Sequence, residues 1–168
     1  MEDNVNIGAK AVKIKVGALT INEDIERVKV CRNVIGNNVK LMVDANNAYR
    51  HYEAIEFARK AEKYDLFWFE EPVEPDDYNG QGEITRATSI PIAAGERLST
   101  KYEFAKVIEK KAASIIQFNL GRVGGILEAK KIAAIAEVHG VQIAPHLYCG
   151  PIVGAANIQI ATCIPKLN

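Results

Sequence analysis

Cysteine is scarce and unpaired in this sequence: three residues, Cys31, Cys149 and Cys163, with no CxxC spacing. That excludes a disulfide framework and argues against a thiolate zinc site. No apolar run is long enough to cross a bilayer, and the opening MEDNVNIGAK lacks the apolar core of a signal peptide. A reducing, cytoplasmic compartment is therefore expected. Neither sign of charge is in excess, with 21 Lys plus Arg against 21 Asp plus Glu. Nucleic acid and acidic membrane surfaces thus lose their electrostatic case as partners. A glycine-rich phosphate turn is also missing. Lys15-Val16-Gly17-Ala18 is not one, and Gly121, Gly124 and Gly125 do not complete GxGxxG. This weighs against a doubly wound nucleotide-binding sheet.

What the sequence does contain is a repeat. Apolar, β-rich runs recur at Ala11–Val16, Lys40–Asp44, Leu66–Glu70, Ile90–Ala94, Ser114–Phe118 and Val141–Ala144. They read as continuous rather than alternating, the pattern of strands buried on both faces. Amphipathic helical patterns lie between them at 21–36, with Ile25, Val28, Val34 and Ile35 on one side, and at 52–64, 101–111 and 126–139. Gly36 and Gly140 stand where helix-ending glycines belong. The strand ends are 24 to 29 residues apart, the length of a right-handed βα unit. Six such units over residues 1–168 predict one α/β domain, an incomplete (β/α)8 barrel, because a closed one needs about 250 residues.

Three units end in an acid: Asp44 in MVDAN, Glu70 in WFEEP and Glu96 in AAGER, at intervals of 26 and 26 residues. In a barrel these ends meet at one mouth. Three carboxylates there repel unless a cation neutralises them. An all-oxygen set selects Mg²⁺, with Mn²⁺ as the alternative, over zinc. Any one of these acids alone would read better as a helix cap or a surface ion pair; three at equal phase do not. Strand alternation lets only one of Glu70 and Glu71 point inward, and the residues do not say which. Lys13 and Lys15 share a face of the first strand. Inside a barrel, mutual repulsion and burial would lower a lysine pKa toward that of a general base; on a solvated strand they would simply face water. His146 ends the last run at a Pro145 turn. His51 and His139 read as surface residues. Tyr49, Arg97, Arg122 and Tyr148 are candidates for the mouth and equally for packing or surface roles.

The ordered set KIKVG, LMVDANNAY, WFEEP, IPIAAGER, GRVGGI and IAPHLYCGP, from about Ala11 to the C-terminus, strongly resembles the mandelate racemase branch of the enolase superfamily. The resemblance implies Mg²⁺ held by Asp44, Glu70 and Glu96, which selects Glu70 over Glu71. It implies Lys15 and His146 as bases on opposite faces of the substrate, with Lys13 supporting Lys15. The implied chemistry is removal of a proton α to a carboxylate. The HLYCGP and GRVGG segments resemble acid-sugar dehydratases more than racemases, while racemases, epimerases and cycloisomerases, which use the same bases, are the alternative the resemblance leaves open. The substrate implied is thus a small sugar acid of the galactonate or gluconate kind.

Three departures stand out. Asn119 occupies the place of an Asp that holds the catalytic histidine, so a less basic His146 is expected. Against the family pattern, the chain is expected to lack the first strand with the N-terminal capping domain, and the last strand with its acidic group. Open edges then invite self-association. A homo-oligomer, or a complementing segment on another chain with no catalysis by this one alone, is the corresponding expectation.

Overall fold

The computed structural model describes residues 2–164. They form two compact units, the first running to Ile92 and the second beginning at Ala93. The first holds α1 (Glu2–Asn6), β1 (Ala11–Lys15), α2 (Ile21–Ile35), β2 (Lys40–Asp44), α3 (His51–Ala61) with a 3₁₀ turn at Glu62–Tyr64, β3 (Leu66–Glu70) and α4 (Tyr78–Ala87). β4 (Ile92–Ala94) carries the chain into the second, which holds α5 (Lys101–Glu109), β5 (Ile115–Ile116), α6 (Ile126–Val138), β6 (Gln142–Ile143) and α7 (Pro151–Ala161). Among the described residues, no helix is long and apolar enough to cross a membrane.

Pairing is parallel in both units. β1 pairs with β2, ending at Lys15↔Asp44, and β2 pairs with β3, ending at Asp44↔Glu70. In the second unit Ala94 pairs with Ile116, Ile116 with Ile143, and an isolated bridge joins Asn119 to His146. Ala144 N–H donates to Ile116 O and His146 N–H to Phe118 O, both at 3.0 Å, so the β5–β6 ladder extends past the short strands. Parallel neighbours need crossover helices, and the sequence marks where these begin. Thr20 and Glu23 form a capping box at α2, Thr100 and Glu103 another at α5, and Gly36 at φ 70° closes α2. Such caps are worth about 1 kcal/mol each.

The first unit's core stacks Tyr49 on Phe57 at 5.5 Å and Phe57 against Phe69 at 5.0 Å. In the second unit Phe104, Phe118, Ile115 and Ile132 are buried completely or nearly so. Each such side chain stabilises by about 1.5–3 kcal/mol.

The structure corrects three expectations. β1 alternates between exposed and buried residues. Val12, Ile14 and Val16 join the core beside Ile25 and Val28, while Lys13 and Lys15 take the other face. Val34 is 48% exposed and lies off the buried stripe of α2. α4 and α7 fall in segments whose sequence shows no apolar period. YNGQGEITRA carries two glycines, and PIVGAANIQIA is apolar nearly all round. Asp77 starts α4 by accepting from Gly80 N–H at 2.9 Å, and Pro151 starts α7.

Candidate active site

The candidate residues fall into two sets, one in each unit. In the first, parallel register puts Lys15, Asp44 and Glu70 side by side on adjacent strands, with Lys13 two residues lower. Asp44 and Glu70 are buried, and both meet the Lys13 ammonium. Its Nζ lies 2.7 and 2.8 Å from the Glu70 oxygens and 3.4 Å from Asp44 Oδ2. Lys15 Nζ donates to Asp44 Oδ2 and to Asn46 Oδ1. The Lys13 side chain is 35% exposed and that of Lys15 61%.

The electrostatics run opposite to the expected lysine–lysine effect at Lys13. Burial is the largest influence and pulls its pKa down, but Glu70, as hydrogen-bond partner and charge, together with Asp44 outweighs it, and the net shift is upward. Asp44 is held below its ordinary value. Burial opposes this, and the hydrogen bonds from Lys15 and the Asn46 N–H, with both lysine charges, overcome it.

Sequence reasoning missed two members of this set. Trp68 Nε1 donates to Glu70 Oε2 at 2.9 Å; two positions before Glu70 on one strand, it had to share that face. Asn46 donates its N–H to Asp44 Oδ1 at 2.9 Å; an Asn two residues past a strand-end Asp is the available signal. Asn46, Asn47 and Glu71 all have positive φ, at 44°, 63° and 40°. Glu71 is the unfavourable one, a backbone strain of the kind held at functional sites.

Beneath this set Asp24, wholly buried, accepts from Gly17 N–H at 2.7 Å, Tyr49 Oη at 3.0 Å and Arg27 Nη1 at 2.7 Å. Tyr49 is therefore a packing residue, its hydroxyl pKa pushed up by burial and then by the Asp24 charge.

In the second unit Glu96 follows β4 and His146 follows β6. Glu96 Oε2 lies 3.1 Å from His146 Nε2, and Asn119 Nδ2 lies 3.1 Å from His146 Nδ1. Asn157 Nδ2 donates to His146 O at 3.1 Å. Gly95 turns the chain toward Glu96 at φ 131°. A Cβ there would stand 2.7 Å from Phe104 Cε1 and 3.2 Å from Gln117 N. Gly95→Ala is expected to destabilise by about 1–3 kcal/mol, from strained backbone as well as the clash, read as a lower urea midpoint; an unchanged midpoint would contradict this. Tyr148 is exposed, as are His51 and His139, and Arg122 Nη1 donates to Arg97 O at 3.4 Å.

Among the described residues no three His, Cys, Asp or Glu side chains converge closely enough to hold a metal ion. Asp44 and Glu70 nonetheless fit one by donor chemistry. They are adjacent, buried and all-oxygen, and a cationic ammonium bridges them.

Parallel strands separated by helices, with carboxylates, lysines and a histidine at their C-terminal ends, define an α/β domain of the (β/α)8-barrel type. The chain belongs to the enolase C-terminal domain-like family, whose model matches residues 1–168. It is 38% identical over 160 residues to the arabinonate dehydratase of Saccharolobus solfataricus, covering 95% of this chain and 43% of that protein. The 3,6-anhydro-D-galactonate cycloisomerase of Zobellia galactanivorans superposes with a TM-score of 0.94 at 39% identity, over 99% of this chain and 48% of the other. The L-talarate dehydratase of Polaromonas sp. JS666, complexed with Mg and L-glucarate, gives 0.91 at 33% identity, over 98% and 43%. The curated relatives are acid-sugar dehydratases, cycloisomerases and an epimerase. The chain spans less than half the length of the relatives just described.

Proposed function

We propose that this chain carries the metal-binding and acid–base groups of a Mg²⁺-dependent enzyme that removes the proton α to a carboxylate, with dehydration of a small sugar acid as the reaction. The observation that carries this reading is the Lys15–Asp44–Glu70 layer: a lysine amine beside two buried carboxylates at adjoining strand ends. Asp44 and Glu70, with Glu96 as third ligand, would hold the ion. When bound, the ion would supply positive charge to oxygens that turn anionic as the proton leaves. Lys15 takes the α-proton at Nζ. Lys13 fixes the Glu70 carboxylate and, by occupying it, leaves Lys15 as the more exposed amine. His146 is the group for the opposite substrate face. A cytosolic site of action suits the free thiols Cys31, Cys149 and Cys163.

Binding of Mn²⁺ followed by electron paramagnetic resonance tests the metal reading. One ion per chain, displaced by Mg²⁺, is expected, and Asp44→Asn and Glu70→Gln should each abolish it. At free Mg²⁺ one hundred times its dissociation constant the chain should gain about 2.7 kcal/mol of stability. No bound Mn²⁺ would overturn the reading.

The range of relatives supports a second outcome with the same groups, racemisation, epimerisation or cycloisomerisation. A sugar-acid panel in D₂O separates them: deuterium uptake without a keto product excludes dehydration.

A further inference from the structure

His146 sits between two partners that dictate where its proton lies. Asn119 Oδ1 accepts from the Gly121 backbone N–H at 2.9 Å and lies 3.4 Å from Cys149 Sγ, which donates to it. A backbone N–H cannot reverse its role, so the amide oxygen must face Gly121. Turning the amide over would set its NH₂ against that donor. The NH₂ group therefore faces His146 Nδ1 at 3.1 Å and donates to it. A ring nitrogen that accepts carries no hydrogen, and in the neutral imidazole the hydrogen then belongs to Nε2. Nε2 accordingly has a carboxylate acceptor, Glu96 Oε2, at 3.1 Å. The bridge between Asn119 and His146 keeps the two side chains adjacent, and Asn157 anchors the His146 carbonyl.

We propose that Asn119 is a positioning residue that fixes neutral His146 as its Nε2–H tautomer, so that Nε2 carries a hydrogen, directed at Glu96, in place of a lone pair. An aspartate at 119 would do the reverse: its oxygens accept from Nδ1–H and leave Nε2 as a base. The consequence for catalysis rests on the proposed function. Nε2 has no lone pair for an α-proton. Giving up a proton from an imidazolium at Nε2 would leave a hydrogen on Nδ1 facing the Asn119 donor, so that direction is disfavoured too. His146 then stands as a neutral donor whose Nε2 hydrogen is held by Glu96, and both proton transfers fall to Lys15. Its neutral amine takes the α-proton, and the C–H electron pair becomes the new C=C bond. The ammonium so formed returns the proton to the β-hydroxyl, whose C–O electron pair leaves with it as water. Such a pair of transfers is elimination on one face, and two-base racemisation is not open to it.

Nitrogen NMR of the ¹⁵N-histidine-labelled chain, in alkaline buffer where imidazole is neutral, reads the tautomer without any assay of turnover. His146→Gln assigns the signal, and exposed His139 reports the averaged tautomers of a solvent-facing imidazole. His146 is expected as Nε2–H alone. Asn119→Asp should move it toward Nδ1–H. A wild-type His146 already averaged like His139, or an unchanged signal in Asn119→Asp, overturns the inference. The two proposals fail separately: absent Mn²⁺ binding with a pure Nε2–H signal removes the metal reading alone, and Mn²⁺ binding with an averaged signal removes this one alone.

Discussion

Lys15→Ala is expected to slow α-proton exchange of a responsive sugar acid in D₂O by about 10²–10⁴-fold, the usual contribution of a positioned proton acceptor. The Lys15 side chain is 61% exposed and touches Asp44 and Asn46 rather than the core. Its loss leaves buried Asp44 with Lys13 as its remaining cation, so folding stability should fall by about 1 kcal/mol, well short of unfolding the chain. Lys15→Arg completes the test, because a guanidinium keeps the charge and cannot accept a proton. It should be as slow as Lys15→Ala while retaining an ion pair with Asp44. Exchange surviving in either variant would remove Lys15 from the chemistry. Exchange lost together with the folded state, seen as a fall in the urea midpoint, would mean that the lysine holds the β1–β2 strand ends together.

A second large effect lies away from the strand ends. Arg32 of α2 is only 8% exposed, and its guanidinium donates to four backbone carbonyls: Nε to Tyr64 O at 2.9 Å, Nη1 to Gly36 O and Val39 O at 2.8 Å each, and Nη2 to Asp65 O at 2.8 Å. These carbonyls belong to the loop after α2 and to the turn that enters β3, where Asp65 takes a left-handed φ of 51°. Arg32→Met retains the aliphatic packing and strands the carbonyls. Each unsatisfied buried acceptor costs about 1–3 kcal/mol, so the total loss should be on the order of 3 kcal/mol or more, even with water reaching some of them. Arg32→Lys should recover little, since one ammonium cannot reproduce a planar fork. Urea unfolding of the chain measures this, and a loss below about 1 kcal/mol would show that the four bonds are replaced by solvent.

Arg32 also marks where sequence reading stops. Within INEDIERVKVCRNVI an arginine reads as the polar side of an amphipathic helix. Its burial depends on carbonyls 4, 7, 32 and 33 residues away, which no local pattern reveals. Strand ends were legible because their period is long and regular, and because register follows once the strands are parallel. Lys15, Asp44 and Glu70 fall in one row for that reason alone. The behaviour of Lys13 was not legible. Alternation placed it on the right face, yet its upward pKa shift comes from reaching across to Glu70, a rotamer choice that spacing cannot encode. α4 and α7 were hidden for a different reason: glycines blur one, and a uniformly apolar composition removes the periodic signal from the other. Asn119 was legible as a departure from a motif. Which of its amide atoms faces His146 needed the Gly121 N–H to be in place.

The buried Asp24 gives the rim after β1 an unusual mechanical character. One carboxylate gathers a loop amide, a phenol and a guanidinium that come from three separate stretches of chain. Ordinarily the stretch between a strand and its crossover helix is the loosest in such a repeat. Here that freedom is surrendered during folding, before any small molecule arrives. Were the proposed substrate to bind at these strand ends, it would meet a rim already held in place, and little of its affinity would be lost to stiffening the protein around it.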